Sequence, residues 1–293
     1  MSPTTQYAHN GAVALAYEAF GDLDRGEPLL LMMGLDFQMV WWPDAFCHQL
    51  VAAGFAVVRF DNRDTGLSVR PDPEAAYTGE DMLDDAGAVL DAVGWDSAHV
   101  LGGSMGAALG QALALLRPER VRTLVSCMGM PATVGPLRML GYLHLGLFPA
   151  FLRVEQGPGR DGQIATLVEI YRLLASPGYP FPAEWARRTA EISHDRRPRD
   201  PAATRRQLAA GRTLRLPPLS GITAPTLVIS GQDDPLVRVR AGRDTARQIP
   251  GATFVSCPGM GHNLPEELWS EVIAHIRATA ARHPARGPVG PLP

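Results

Sequence analysis

Short apolar runs alternate along this chain with longer stretches that carry one apolar face. Residues 13–20 alternate apolar and polar side chains, the period-two pattern of a strand. Residues 28–33 (PLLLMM) and 55–61 (FAVVRFD) are continuous apolar runs, which predict strands buried on both faces. Residues 99–102, 123–127, 226–230 and 253–257 complete the strand set. Helical patterns fall between them at 43–53, 79–93, 105–116, 238–248 and 266–281. Strands that alternate with helices predict an α/β fold with a mostly parallel sheet and right-handed crossovers.

The alternation breaks once. From 131 to 219 there is no core strand, but there are helical stretches at 162–174 and 184–193, many prolines, and a Pro217-Pro218 stop. A block of this size is too long for a connection and predicts an inserted helical cap. The expected organisation is one core domain from residues 1–130 and 220–282, a cap over 131–219, and a Pro/Gly-rich disordered tail over 283–293.

Composition narrows the function classes. Of 293 residues, 46% are hydrophobic and 19% charged, an ordinary globular balance. The net charge of −3 supplies no basic field for nucleic acid or anionic lipid. Cys47, Cys127 and Cys257 are scattered and odd in number, so buried free thiols are expected rather than zinc ligands or disulfides. The N-terminus MSPTTQYAHNG has neither a basic nor an apolar leader region, and no apolar run approaches the roughly 18 residues of a membrane span. A cytoplasmic protein without membrane or nucleic-acid partners is expected; a homodimer is compatible.

The strongest chemical signal is Gly102-Gly103-Ser104-Met105-Gly106. It fits G-x-S-x-G, follows an apolar strand pattern and opens an Ala/Leu-rich helix, the context of a nucleophile elbow. Ser104 is the expected nucleophile, and the Met105 backbone N–H is an expected oxyanion donor. A serine hydroxyl needs a base. His262 lies in the glycine-flanked loop Pro258-Gly259-Met260-Gly261-His262 directly after the last strand pattern. The orienting acid is expected after the strand at 226–230, where Asp233 and Asp234 both fit the Ser…Asp…His order. Asp234 is preferred, because Asp233 also suits a turn or helix-capping role. The second oxyanion donor is assigned to the Leu35 N–H after Met33-Gly34, since glycine permits the turn that presents an amide. Met33, Gly34, Phe37, Trp42 and Met130 are candidate pocket residues, with Trp41 beside them.

Other charged groups read as structural. The run Arg59-Phe60-Asp61-Asn62-Arg63-Asp64 is expected to end a strand and brace the loop beside the oxyanion turn through ion pairs. His194-Asp195-Arg196 reads as a solvated turn, and Arg187-Arg188 and Arg205-Arg206 as exposed helix charges. No G-x-G-x-x-G opens a helix after the first strand, which argues against a nicotinamide or flavin enzyme.

Taken with their motifs, Ser104, Asp234 and His262 resemble the α/β-hydrolase superfamily. Met33-Gly34 with Trp42-Pro43-Asp44-Ala45-Phe46, the run Arg59–Ser68 (RFDNRDTGLS) and Gly259-Met260-Gly261-His262 are similar to its aclacinomycin methylesterase-like branch. The resemblance covers about residues 10–280, including Ser176-Pro177-Gly178-Tyr179-Pro180-Phe181 in the cap. It implies an eight-stranded, mostly parallel sheet flanked by helices, a helical cap, no cofactor and no metal. It also implies a small-molecule carboxylic ester as substrate, in one member a methyl ester on a polyketide. Most of the superfamily carries His-Gly at the oxyanion strand, and this branch carries the Met-Gly seen here. A lactonase, a carbon–carbon bond hydrolase or a perhydrolase could use the same constellation, and a non-catalytic small-molecule receptor could use the same fold.

Overall fold

The computed structural model describes residues 3–69, 76–155 and 157–283. Of the tail expected at 283–293, only His283 is among them, so that expectation lies otherwise outside the described residues. The strands are β1 (Gln6–Asn10), β2 (Val13–Phe20), β3 (Glu27–Met32), β4 (Phe55–Phe60), β5 (Ala98–Gly103), β6 (Val121–Cys127), β7 (Thr226–Gly231) and β8 (Thr253–Cys257). They form one sheet in the order β1-β2-β4-β3-β5-β6-β7-β8. β2 pairs antiparallel with β1 and β4, and the other pairs are parallel. Every strand expected from the sequence is found within two residues of its expected ends. β1 was not expected, because its QYAHN sequence shows little apolar signal and only Ala8 is buried.

Side-chain alternation explains why the middle strands are apolar throughout. Leu29 and Leu31 of β3 and Val57 of β4 point into one core layer, whereas Leu30, Met32 and Val58 point into the other. Helices α1 (Asp44–Ala52) and α10 (Trp269–Ala280) supply the first layer with Phe46, Leu50, Trp269, Val272 and Ile276. Helices α2 (Gly79–Ala92) and α3 (Met105–Leu116) supply the second with Leu83, Val89, Leu109 and Leu113. A capping box starts α2: the Thr78 hydroxyl accepts from the Asp81 N–H, and the Asp81 carboxylate accepts from the Thr78 N–H. Helix α9 (Val239–Gln248) links β7 to β8.

Among the described residues, five α-helices separate β6 from β7: α4 (Pro136–Tyr142), α5 (Phe148–Arg153), α6 (Gly159–Leu174), α7 (Ala183–Arg196) and α8 (Pro201–Gly211). Buried polar contacts bind α7 and α8 to the loop after β4. The Arg196 guanidinium lies 2.6 Å from the fully buried Asp61 carboxylate and also reaches Gln38. Arg206 pairs with both carboxylate oxygens of buried Asp64. The Gln207 side chain donates to the Arg63 carbonyl and the Thr65 hydroxyl and accepts from the Asp36 N–H. These contacts correct two expectations, since Arg196 is not in a solvated turn and Arg206 is not a free surface charge. Their partners lie 135 and 142 residues away in sequence, beyond any local pattern.

The braced loop in turn holds the segment after β3. The Asp61 carboxylate accepts from the Met39 N–H at 2.7 Å and the Leu67 N–H at 2.9 Å. Burial pushes the Asp61 carboxyl up, while Arg196 and these amides pull it back. Gly66 is required beside it, because a Cβ there would stand 2.2 Å from an Asp61 oxygen.

Candidate active site

The parallel strands β5, β7 and β8 all deliver their carboxyl ends to one edge of the sheet, where crevices form in folds of this class. Ser104 follows β5 directly, with φ 54° and ψ −115°. A non-glycine residue in this left-handed region carries strain of about 1–3 kcal/mol. Two glycines make the turn feasible. A Cβ on Gly102 would stand 2.1 Å from the Gly106 carbonyl oxygen, and a Cβ on Gly106 would stand 2.1 Å from the Met32 carbonyl oxygen. The Ser104 N–H donates to the Cys127 carbonyl at 2.9 Å, which fixes the turn to β6.

The structure brings Ser104, His262 and Asp234 together. His262 Nε2 lies 2.9 Å from the Ser104 Oγ, and His262 Nδ1 lies 2.7 Å from Asp234 Oδ2. Asp234 is 4% exposed, and its other oxygen accepts from the Leu236 and Val237 N–H groups at 2.8 Å each. Its carboxylate is therefore fully engaged and cannot swing away. Asp233 is exposed, and its carboxylate accepts from the Gly259 N–H at 2.9 Å, bracing the histidine loop from outside. Geometry separates the two aspartates that sequence order could not.

Met105 opens α3, so its N–H is one of the unpaired amides at a helix N-terminus. The chain turn at Gly34 rests against Ser104: a Cβ there would stand 3.2 Å from Ser104 Cβ and 3.8 Å from its Oγ. Among the described residues, neither the Leu35 nor the Met105 N–H donates to another protein group.

The candidate pocket residues fall into three places. Met33 and Phe37 join an apolar cluster with Trp41, Ile164, Leu167, Val168, Tyr171 and Trp185. Its rings meet closely, with Trp41 5.0 Å from Phe37, 4.8 Å from Tyr171 and 5.7 Å from Trp185. Trp42 packs instead in the core against Phe46 and lies under Gly103. Met130 packs with Tyr142 and Val237 near the acid loop. Tyr171 and Trp185 are not among the residues singled out from the sequence. A signal was present, since Ile164, Leu167, Val168 and Tyr171 repeat at helical spacing on one face of α6.

A surface groove of about 660 Å³ runs along β1, α2 and α3 and includes none of the three central residues. A small cavity of about 40 Å³ lies between the segment after β3 and α6–α7, lined by Asp36, Gln38, Trp41, Thr65, Leu167 and Ser193 among others. The three cysteines are buried and free. Among the described residues, no cluster of three or more His, Cys, Asp or Glu could hold a metal ion. No helix of the described residues is long and apolar enough to cross a membrane.

Residues 34–267 match the family described as the alpha/beta hydrolase fold. The chain belongs to the α/β-hydrolase family. Within this family it is similar to rhodomycin D methylesterase DnrP of Streptomyces peucetius, at 35% identity over 94% of this chain and 98% of the relative. It is likewise 34% identical to rhodomycin D methylesterase DauP of Streptomyces sp. (strain C5), over 91% of this chain and 96% of the relative. A crystal structure of a hydrolase from Pseudomonas aeruginosa PA01 superposes with TM-score 0.71 at 26% identity, covering 94% of this chain and 97% of the other. This α/β hydrolase thus sits in the methylesterase-like branch that its motifs resemble, and it is an enzyme of the carboxylic ester hydrolase class.

Proposed function

We propose that this chain hydrolyses the methyl ester of a flat, aromatic carboxylic acid through an acyl-enzyme on Ser104. The observation that carries the reading is the unbroken chain from the Ser104 hydroxyl to His262 Nε2 at 2.9 Å and from His262 Nδ1 to Asp234 at 2.7 Å. Asp234 accepts the Nδ1–H, which leaves the Nε2 lone pair facing the serine. His262 takes the Ser104 proton as Oγ attacks the ester carbonyl, and the Leu35 and Met105 amides receive the oxyanion. The imidazolium then gives its proton to the departing alkoxide, so methanol leaves as the C–O bond breaks. Water, deprotonated by the same imidazole, attacks the acyl carbon, and the acid is released as Ser104 regains its proton.

The aromatic wall supports the acyl part of the reading. Trp41 and Phe37 follow the oxyanion segment, and Tyr171 and Trp185 face them from the helical insertion. Planar ring faces suit a fused aromatic acid. The Trp41 indole N–H is buried without a partner among the described residues, which suits an oxygen substituent on such a ligand. The rhodomycin D methylesterase relatives support the methyl ester part of the reading. In this reading the insertion at 131–219 is a cap that carries the far wall of the pocket.

The test is turnover of methyl esters of fused aromatic acids beside aliphatic methyl esters of equal carbon number. Ser104→Ala is expected to lose at least about 10⁴-fold in kcat with an unchanged circular dichroism spectrum. Wild-type turnover in that variant would overturn the nucleophile assignment, and equal turnover of both ester classes would overturn the aromatic acyl group.

A further inference from the structure

We propose that Ser176 and Asn263 are positioning residues that hold His262 in register with Ser104, and that Tyr171 ties this hold to the aromatic wall. The inference rests on the function proposed above.

Residues 258–264 run between β8 and α10 without regular structure, and Gly259 and Gly261 flank the histidine's approach. Such a loop needs partners to fix an imidazole within a few tenths of an ångström. The sheet does not supply most of them; the end of α6 and the turn after it do. The His262 N–H donates to the Leu174 carbonyl at 2.8 Å. The Gly261 N–H donates to the Ser176 hydroxyl at 2.8 Å, and the Gly178 N–H donates to the Gly259 carbonyl at 2.9 Å. The approach is too close for a side chain, since a Cβ on Gly261 would stand 2.4 Å from the Ala175 carbonyl oxygen.

The side chains complete a directed relay. Ser176 Oγ already accepts from Gly261, so its proton goes to Asn263 Oδ1 at 2.6 Å. That orients the amide and sends Asn263 Nδ2 to the Tyr171 oxygen at 3.2 Å. Ser176 is 5% exposed and Asn263 7%, so a lost partner leaves a buried polar group unpaired. Burial pushes the Tyr171 hydroxyl up to about 12, against the pull of Asn263, so it stays protonated. Its ring stands 4.8 Å from Trp41 and 5.5 Å from Trp185. The residue after the base is thus hydrogen-bonded to a ring of the pocket wall.

The test uses p-nitrophenyl acetate, with Ser176→Ala, Asn263→Ala and Tyr171→Phe in the full chain. Ser176→Ala and Asn263→Ala are expected to lower kcat about tenfold with KM within about twofold of wild type. Tyr171→Phe keeps the ring and is expected to lower kcat about threefold. The far-downfield proton resonance shared by His262 and Asp234 is expected to shift or broaden in all three. Wild-type kcat and an unmoved resonance in Tyr171→Phe and in whichever alanine variants fold would overturn the inference, as would a loss confined to KM. His262→Ala separates the two readings. If it is inactive while the three variants are wild type, only this inference falls. If it keeps wild-type activity, the proposed function falls first.

Discussion

Among the described residues two histidines are buried, one on the sheet and one in the loop after β8, each between a hydroxyl and a carboxylate. His262 stands between Ser104 and Asp234. His99, near the start of the same β5 strand that ends beside Ser104, has its Nδ1 2.8 Å from the Thr123 hydroxyl and its Nε2 3.3 Å from a Glu27 oxygen. The partner types are the same, but the surroundings are not. Thr123 is the ladder partner of His99 in β6 and is 1% exposed. Ser104 breaks from its ladder at a positive φ, next to the open amide that starts α3. Glu27 is half-exposed and shared with Arg277 at 2.6 Å, whereas Asp234 is buried and locked by two amides. A hydroxyl, an imidazole and a carboxylate in line do not by themselves make a nucleophile. The carboxyl end of a parallel strand, a strained turn and unpaired amides are what the second trio lacks.

The largest effect expected from this contrast is on turnover. His262→Ala should lower kcat for p-nitrophenyl acetate by at least about 10⁴-fold, whereas His99→Gln should stay within about twofold of wild type. Comparable losses in both would erase the distinction.

The next effect is on stability against pH. Burial lowers His99 to about 4; Glu27 opposes this, and Arg122, His283 and Arg277 add to it. A histidine depressed in the folded state binds its proton more readily when unfolded, so stability falls as pH drops from about 6.5 towards 4. The expected loss over that window is on the order of 2 kcal/mol, read from urea midpoints, and His99→Gln should flatten the slope. An unchanged slope in the variant would place the titration elsewhere.

The smallest effect concerns Thr123→Val. It removes one buried hydrogen bond and should cost about 1 kcal/mol without changing kcat. Any loss of turnover in this variant would argue that the second trio takes part in the chemistry.

The parts of the site that depend on local sequence were legible before any coordinates. A glycine-flanked serine between an apolar strand and a helix has few other uses, and the strands announce themselves by unbroken apolar runs. The choice between Asp233 and Asp234 was not legible, because adjacent residues share one sequence signal and differ only in direction. Gly259 takes one and His262 the other. Nor was the anchoring of α7 and α8 legible. Arg196 and Arg206 look like ordinary helix charges until the fold brings buried Asp61 and Asp64 to them. The aromatic wall lay between these cases. Phe37 and Trp42 stand out after Met33-Gly34 with Trp41 beside them, but only packing sends Trp42 to the core and leaves Trp41 with Phe37, and Tyr171 and Trp185 acquire meaning only when α6 and α7 pack against these two rings.

Covalent labelling reports whether the imidazole at 262 makes one particular hydroxyl reactive. With a fluorophosphonate probe, peptide mass spectrometry should find the adduct on Ser104 in the wild-type protein and should find labelling strongly suppressed in His262→Ala. An adduct on another residue, or equal labelling of Ser104 in both proteins, would contradict the account.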